Sequence, residues 1–224
     1  MKKLIIKQLG VALLCAVTLA ACSKWDDYKQ YTANGETLYT GKLDSAKVFS
    51  GSERVRLKGL LVADPKISKV RVSWNDGADS LVFAVDKAGS RTFDQTFAVN
   101  EGVKSFRINT FDDKGNTSVP VNVIGTSYGS AYKRKLVNRP VVSSVFASNK
   151  TTITWDLMDF SIGAQYTEIE YIVSGVTLSV KTPVSQATTV LDGFNTTSAK
   201  FRYRTVFRPD TTCIDLFYTE FVER

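Results

Sequence analysis

The sequence predicts an all-β protein in which two antiparallel β-sandwiches follow an N-terminal export signal. Three observations lead to this prediction. From Tyr39 onward, apolar residues alternate with polar residues in short stretches, which is typical of half-buried strands. Glycine, asparagine and aspartate cluster between these stretches, as they do in tight turns. No segment of this part of the chain sustains the period of an amphipathic helix.

Residues 1–21 have the pattern of a secretory signal peptide. Three lysines lie within the first seven residues, and an uncharged, mostly apolar run follows from residue 9 to residue 20. The run is shorter than the roughly 20 apolar residues that a membrane-spanning helix needs. Leu19 and two alanines then precede Cys22, and this segment resembles the lipobox of bacterial lipoproteins. The alternative is an ordinary signal peptide followed by an incidental cysteine.

The lipobox resemblance implies cleavage before Cys22 and lipid on its thiol. Two or more acyl chains anchor a protein stably, so the membrane is a predicted partner through this residue. Lys24, Asp26 and Asp27 follow directly and resemble the surface-export signal of Bacteroidota lipoproteins. The predicted location is therefore the outer membrane, with the protein exposed on the cell surface. The periplasm-facing leaflet is the alternative.

The alternating stretches fall into two sets. The first set includes Arg54–Lys58, Lys69–Trp74, Leu81–Val85, Phe106–Ile108 and Val119–Val123. The second set includes Ile153–Leu157, Ile169–Val173, Val176–Val180, Phe201–Arg204 and Ile214–Tyr218. We predict a signal peptide over residues 1–21, a lipidated tether over 22–38, a first sandwich over 39–126 and a second over 127–224. The alternative is one continuous domain with a long connection between the two sets.

Two resemblances concern the body of the chain. Residues 111–118, Phe-Asp-Asp-Lys-Gly-Asn-Thr-Ser, resemble the last hairpin of bacterial fibronectin type III-like modules. Residues 25–221 resemble Bacteroidota lipoproteins of domain-of-unknown-function family 4998, with matching segments at 39–45, 72–80, 201–205 and 214–219. These resemblances imply tandem fibronectin type III/Ig-like sandwiches. Relatives often carry a further carbohydrate-binding domain after this region, which implies an association with glycan capture or uptake. This sequence stops before such a domain, which argues against direct glycan binding as the expected role.

Composition excludes several classes of chemistry. The chain has no histidine, so Ser-His-Asp and Cys-His catalysis and histidine metal sites are excluded. Of its cysteines, Cys15 lies in the signal and Cys22 is the lipid site, which leaves Cys213 without a disulfide partner. The net charge falls from +7 to +4 once the three signal-peptide lysines are removed, and no basic run indicates a nucleic-acid partner. We predict no catalytic residues, no metal site and no cofactor.

Aromatic and acidic residues give the candidate ligand sites. Trp74 and Trp155 have flat faces that suit sugar rings, but both occupy apolar strand positions, which favours a core role. Trp25 and Tyr28 could lie at the membrane interface or in a plain linker. Two acidic groups could bind calcium, although plain turns are favoured for both. These groups are Asp112, Asp113 and Asn116, and Asp76 and Asp79.

Cysteine and arginine give two further candidates. Cys213 lacks a partner that would lower its pKa, so a packing role is favoured over a nucleophilic one. Arg202, Arg204 and Arg208 could bind an anion, but pairing with acidic neighbours on a solvated strand face is favoured.

The resulting functional prediction is a non-catalytic, lipid-anchored binding or scaffold protein of the cell surface. The expected partner is a glycan or a surface protein complex. One alternative is a structural subunit for adhesion or envelope assembly that pairs through strand edges. The other alternative is a glycan hydrolase built on an Asp/Glu pair.

Overall fold

The computed structural model describes residues 38–61, 64–86, 88–89 and 91–224. The predictions for the signal peptide, for Cys22, for Lys24, Asp26 and Asp27, and for Trp25 and Tyr28 lie outside these residues. Residues 40–224 form one compact unit, and the description below concerns this unit. No helix among the described residues is long and apolar enough to cross a membrane.

The first half of this unit is a β-sandwich. Its strands are β1 (Asp44–Ser52), β2 (Arg54–Leu60), β3 (Ile67–Trp74), β4 (Asp79–Ala84), β5 (Thr92–Ala98), β6 (Gly102–Asp112) and β7 (Val121–Tyr128). One layer has the order β1-β2-β5 and the other the order β4-β3-β6-β7, with antiparallel pairing inside each layer. The layers join where Gly51 and Ser52 pair in parallel with the end of β7. This is a fibronectin type III-like arrangement.

The alternation along each strand decides which face is buried. In β3, Val70 and Val72 are fully buried, whereas Arg71 between them is exposed. Val55 and Leu57 of β2 close the same core from the opposite layer. Each such side chain contributes about 1.5–3 kcal/mol when it leaves water, so a shift of register by one residue would be costly. The sequence therefore fixes the solvent face of the β4-β3-β6-β7 layer.

The second half repeats the arrangement. Its strands are β8 (Val141–Ala147), β9 (Lys150–Trp155), β10 (Ala164–Val173), β11 (Val176–Pro183), β12 (Thr188–Asp192), β13 (Arg202–Phe207), β14 (Phe217–Tyr218) and β15 (Val222–Glu223). One layer has the order β12-β9-β8, and the other the order β11-β10-β13-β14, with β15 also paired to β13. Ser174 and Gly175 form the two-residue turn between β10 and β11, with φ of 50° and 80°. A tight hairpin turn of this type needs positive φ at both positions.

A short helix, α1 (Ser130–Lys133), follows β7 and leads toward β8. The predicted domain boundaries stay a prediction, and β7 continues through residues 126 and 127 to Tyr128. The fold class is confirmed: the described chain is all-β and contains two antiparallel sandwiches.

The sequence pattern is wrong about the inward side chains near the C-terminus. It places Ile214, Leu216 and Tyr218 on one face, but the inward residue is Phe217, which is 2% exposed. Asp210, which accepts hydrogen bonds from Ser50 and Tyr128 of the first sandwich, starts a turn here. The peptide N–H of Cys213 donates to the carbonyl of Asp210, which holds this segment in turns, so β14 begins only at residue 217.

Candidate functional site

The outward face of the β4-β3-β6-β7 layer carries a groove of about 610 Å³. It runs along β3 and β6, because Asp76 and Gly77 line it beyond one end of β3 while Phe111 and Thr117 line it at the other end. The eight residues of β3 span roughly 25 Å at about 3.3 Å per residue. The polar side chains between these ends are Arg71, Ser73, Ser105, Arg107, Asn109 and Asn122.

Strand register places the two arginines diagonally across β3 and β6. Arg71 lies opposite Asn109, and Arg107 lies opposite Ser73, so the two Cβ atoms are about 7 Å apart. On its other side Arg107 faces Asn122 of β7. The groove therefore sets arginines beside amides and hydroxyls.

Neither arginine is neutralised by a carboxylate. The Nη2 of Arg71 donates to the hydroxyl of Ser80 over 3.4 Å, which is a weak contact. Within residues 38–224, leaving out 62, 63, 87 and 90, the guanidinium of Arg107 makes no hydrogen bond or ion pair. Asp76, at the end of the groove, is the carboxylate among the lining residues. The site can therefore donate several hydrogen bonds to a ligand that carries negative charge.

The corresponding face of the second sandwich has the opposite character. Arg202 pairs with Glu170, and Arg204 pairs with Glu168, each with an N–O distance of 2.6 Å. Both glutamates lie directly opposite the arginines in the β10–β13 register. Both guanidiniums also lie over the ring of Phe221, at 4.7 and 4.6 Å from its centroid. The prediction that acidic neighbours pair with these arginines is confirmed, and Arg208 lies beyond the end of β13.

Comparison with known proteins identifies the family. The family DUF4998, described as a domain of unknown function, matches residues 22–217. The chain belongs to DUF4998. The predicted membership of family 4998 is thereby confirmed, whereas the predicted Bacteroidota lipoprotein character stays a prediction. No curated protein matches the sequence.

Solved structures similar to this DUF4998 chain include tandem fibronectin type III segments. A two-domain segment from chicken tenascin is 13% identical with a TM-score of 0.32, and the match covers 82% of this chain and 98% of that one. The FN1–FN3 domains of chicken CNTN1 are 9% identical with a TM-score of 0.45, and the match covers 83% and 67% of the two chains. The fold assignment rests on the strand order described above.

The tryptophans of this DUF4998 member occupy the cores, as predicted. Trp74 is 9% exposed and packs against Phe97 and Phe106, although it also borders the groove. Trp155 is 4% exposed, and its indole N–H donates to the hydroxyl of Thr189 over 2.8 Å. Neither ring presents a free face for sugar stacking.

The acidic candidates form turns. The carboxylate of Asp112 accepts the peptide N–H groups of Lys114 and Asn116 and the side-chain amide of Asn116, while Gly115 has a φ of 85°. The Asn116 amide and these backbone donors keep the pKa of Asp112 below its usual value. In the other turn, the side-chain amide of Asn75 donates to Asp79 over 2.6 Å. No group of three metal-ligating side chains occurs among the described residues.

Polar contacts join the two sandwiches at a joint that sequence reasoning missed. The Asp215 carboxylate accepts a two-pronged bond from the guanidinium of Arg54, at 3.0 and 2.5 Å, and the peptide N–H of Ser52 at 2.8 Å. Asp210 accepts the hydroxyls of Ser50 at 2.7 Å and Tyr128 at 3.1 Å. Arg54, Ser52, Ser50 and Tyr128 belong to the first sandwich, so these bonds hold the two halves together.

The pKa values at the joint follow from these contacts. The Arg54 guanidinium lowers the pKa of Asp215. Burial of Asp210 raises its pKa, but hydrogen bonds from Ser50, Thr212 and Tyr128 outweigh burial and leave the value below the usual range. Burial and the Asp210 carboxylate raise the pKa of Tyr128 to about 12, so this phenol stays protonated and donates.

An apolar cluster completes the joint. The Tyr132 ring lies 4.9 Å from the Phe217 ring and 5.1 Å from the Tyr128 ring. Cys213 is 4% exposed in the same cluster, which confirms its predicted packing role. Burial raises the pKa of its thiol, as expected for an inert cysteine.

Sequence reasoning also missed the groove. Arg71 and Arg107 stand at outward positions of their strands, which alternation does show. Which residue lies beside each arginine depends on the pairing of strands that are about 35 residues apart in the chain. The available signal is the absence of acids at the outward positions of Lys69–Ser73 and Ser105–Phe111.

Proposed function

We propose that this protein is a non-catalytic, lipid-anchored binding protein of the Bacteroidota cell surface. In this proposal, lipid on Cys22 holds it to the outer membrane and Lys24, Asp26 and Asp27 direct it to the surface. Its ligand is a glycan, presented alone or by a glycan-uptake complex, and the ligand occupies the groove of the first sandwich. The sequence features of residues 1–27 support this location on the cell surface, and the fibronectin type III-like fold supports a binding or scaffold role.

The binding role rests on side chains in the groove whose hydrogen-bonding groups have no partner within the described part of the chain. The side chains of Arg107 and Asn122, which face each other on neighbouring strands, make no hydrogen bond or ion pair with any described residue. Asn109 donates its side-chain amide to the carbonyl of Ser118 and keeps its side-chain oxygen as an acceptor. Such groups on one open face match the hydroxyls of a glycan.

The groove favours binding over hydrolysis. Glycosidases need two carboxyl groups flanking the scissile bond, and in retaining enzymes these are about 5 Å apart. The lining of this groove contributes Asp76 alone. Asp76 is exposed in a turn with a φ of 55°, and no second carboxylate lines the groove beside it.

Protease shaving of intact cells tests the proposed location on the cell surface. Wild-type protein should be cleaved from intact cells while its N-terminal fragment stays with the membrane. Cys22→Ala should abolish membrane retention, and a Lys24→Ala/Asp26→Ala/Asp27→Ala variant should stay membrane-bound but resist shaving. Wild-type protein that resists shaving would place the chain on the periplasmic side and overturn the surface assignment.

A glycan array tests the binding role. The full-length protein in detergent should bind a subset of glycans, and Asn109→Ala/Asn122→Ala should lose that binding. Thr152→Ala/Thr154→Ala is the matched control, because these residues alternate outward on β9 of the other sandwich. Absence of binding to any glycan, or equal loss in both variants, would contradict a groove-based glycan-binding role.

One observation supports a structural subunit as the second candidate. Strand β4 is a free edge of its layer, and its residues Leu81 and Val82 are 39% and 58% exposed. Exposed apolar edges can pair with a strand of another chain. Crosslinking on intact cells separates the two candidates, because a structural subunit should trap a protein partner through β4, and Val82→Lys should abolish that product.

A further inference from the structure

We infer that the groove binds an anionic polysaccharide, whose carboxylate or sulfate groups are held by Arg71 and Arg107. This inference rests on the proposed binding function and names the class of its ligand.

The first step is the positive charge on the outward face of the β4-β3-β6-β7 layer. Arg71 and Arg107 are both exposed and sit diagonally across β3 and β6. Like charges this close repel each other across the sheet. Their cross-strand neighbours are Asn109 and Ser73, which cannot neutralise them. A bound oxyanion would remove the repulsion and accept two-pronged hydrogen bonds from each guanidinium.

The second sandwich provides an internal reference for this argument. At the corresponding place in the β10–β13 pair, Glu168 and Glu170 lie directly opposite Arg204 and Arg202. In the second sandwich, glutamates therefore neutralise the outward row of arginines. In the first sandwich the equivalent positions carry no acid, which leaves the negative charge to be supplied by a ligand.

The shape and the remaining chemistry of the groove point to a chain of hydroxylated units. The groove follows the length of β3 and β6 and is open to solvent along the sheet. Ser73, Ser105 and Asn122 offer hydroxyl and amide groups that can exchange hydrogen bonds with sugar hydroxyls. Asp76 at one end accepts hydrogen bonds from hydroxyls and repels anions, so the anionic groups belong near the arginines.

Nucleic acid fits the same surface less well. Duplex DNA carries about one negative charge per 1.7 Å of axis, and its binders neutralise several phosphates with a row of cations. This groove offers two arginines and one aspartate. Single-stranded binders add aromatic platforms for the bases, but Trp74 is buried against Phe97 and Phe106.

The test measures binding of the full-length protein in detergent to polygalacturonate, dextran sulfate, neutral dextran and single-stranded DNA. We expect binding to at least one of the two acidic polysaccharides, weakening at high salt, and no binding to dextran. Arg71→Gln/Arg107→Gln should weaken this binding about 100-fold, roughly tenfold for each arginine. Arg202→Gln/Arg204→Gln removes the same charge from the equivalent face and should change binding less than twofold.

A variant that keeps the charge guards against a folding artefact. Arg71→Lys/Arg107→Lys retains both positive charges but loses the two-pronged geometry, so its binding should lie between those of wild type and the glutamine variant. Circular dichroism should show that all variants keep the wild-type β spectrum. If the glutamine variant unfolds, the lysine variant decides the question.

Four outcomes would overturn the inference. Failure of both acidic polysaccharides to bind would do so. Equal losses in the two glutamine variants would show that net charge matters and not this groove. DNA binding of similar strength that needs the same arginines would assign the site to nucleic acid. Binding of neutral glycans that is lost in Asn109→Ala/Asn122→Ala would leave the proposed function intact while refuting an anionic ligand.

Discussion

Removing the Asp215 carboxylate should reveal how the two sandwiches are held together. This carboxylate accepts three hydrogen bonds from the first sandwich, two from Arg54 and one from the peptide N–H of Ser52. The Arg54 side chain is 49% exposed and returns to water when the pair is broken, so the pair contributes about 1 kcal/mol or less. The part-buried N–H of Ser52 would lose its acceptor, which costs about 1–3 kcal/mol. We therefore expect Asp215→Ala to cost about 2–3 kcal/mol.

The partner variant gives the diagnostic comparison. Arg54→Ala removes the same ion pair but leaves the Ser52 bond, so it should cost about 1 kcal/mol. Asp215→Asn should fall between the two, because the amide oxygen can still accept from Ser52. Equilibrium urea unfolding measures all three, with Arg56→Ala as a control for a similar fork to Asp94 inside the first sandwich. Equal costs for Asp215→Ala and Arg54→Ala would refute this account of the joint.

Three further predictions concern stability and reactivity. Arg139 is 1% exposed and its guanidinium donates to two backbone carbonyls, so Arg139→Ala should lower the free energy of unfolding by about 3 kcal/mol in urea. The Arg56 guanidinium lowers the pKa of Asp94 to about 2, below an unfolded value of about 3.9. The ionised Asp94 carboxylate therefore stabilises the fold above about pH 4, and this stabilisation is lost as the pH falls toward 2. In Asp94→Asn, the free energy of unfolding should depend less on pH in that window. Cys213 should react with a thiol reagent at pH 8 only in denaturant, and fast reaction of native protein would contradict its burial.

Local patterns in the sequence predict the strands because the strands obey local rules. The alternation of β3 buries Val70 and Val72 and exposes Arg71, as period two requires. The turn after β6 is also local, since Asp112 caps the peptide groups of Lys114 and Asn116. Such features depend on residues within a few positions of one another.

The groove and the joint depend on residues far apart in the chain. Glu168 and Arg204 neutralise each other across 36 positions, and Asp215 meets Arg54 across 161. The alternation of apolar and polar residues predicts that Arg204 and Arg107 both face outward, so it does not distinguish them. Only the cross-strand register shows that one arginine has a glutamate beside it and the other has not. The wrong pattern at Ile214–Tyr218 has the same origin, because contacts of Asp210 with distant residues hold that segment in turns.

The most direct measurement of the central claim is to find where a carboxylated glycan lies on the protein. Carbodiimide activation would couple carboxylates of bound oligogalacturonate to the nearest lysine, and mass spectrometry would identify that residue. Lys69 is exposed on β3, opposite Phe111 of the groove, while Lys181 lies beside Glu168 on the matching face of the second sandwich. The account predicts coupling at Lys69 that is lost in Arg71→Gln/Arg107→Gln. Coupling at Lys181, or coupling spread evenly over the lysines, would contradict it.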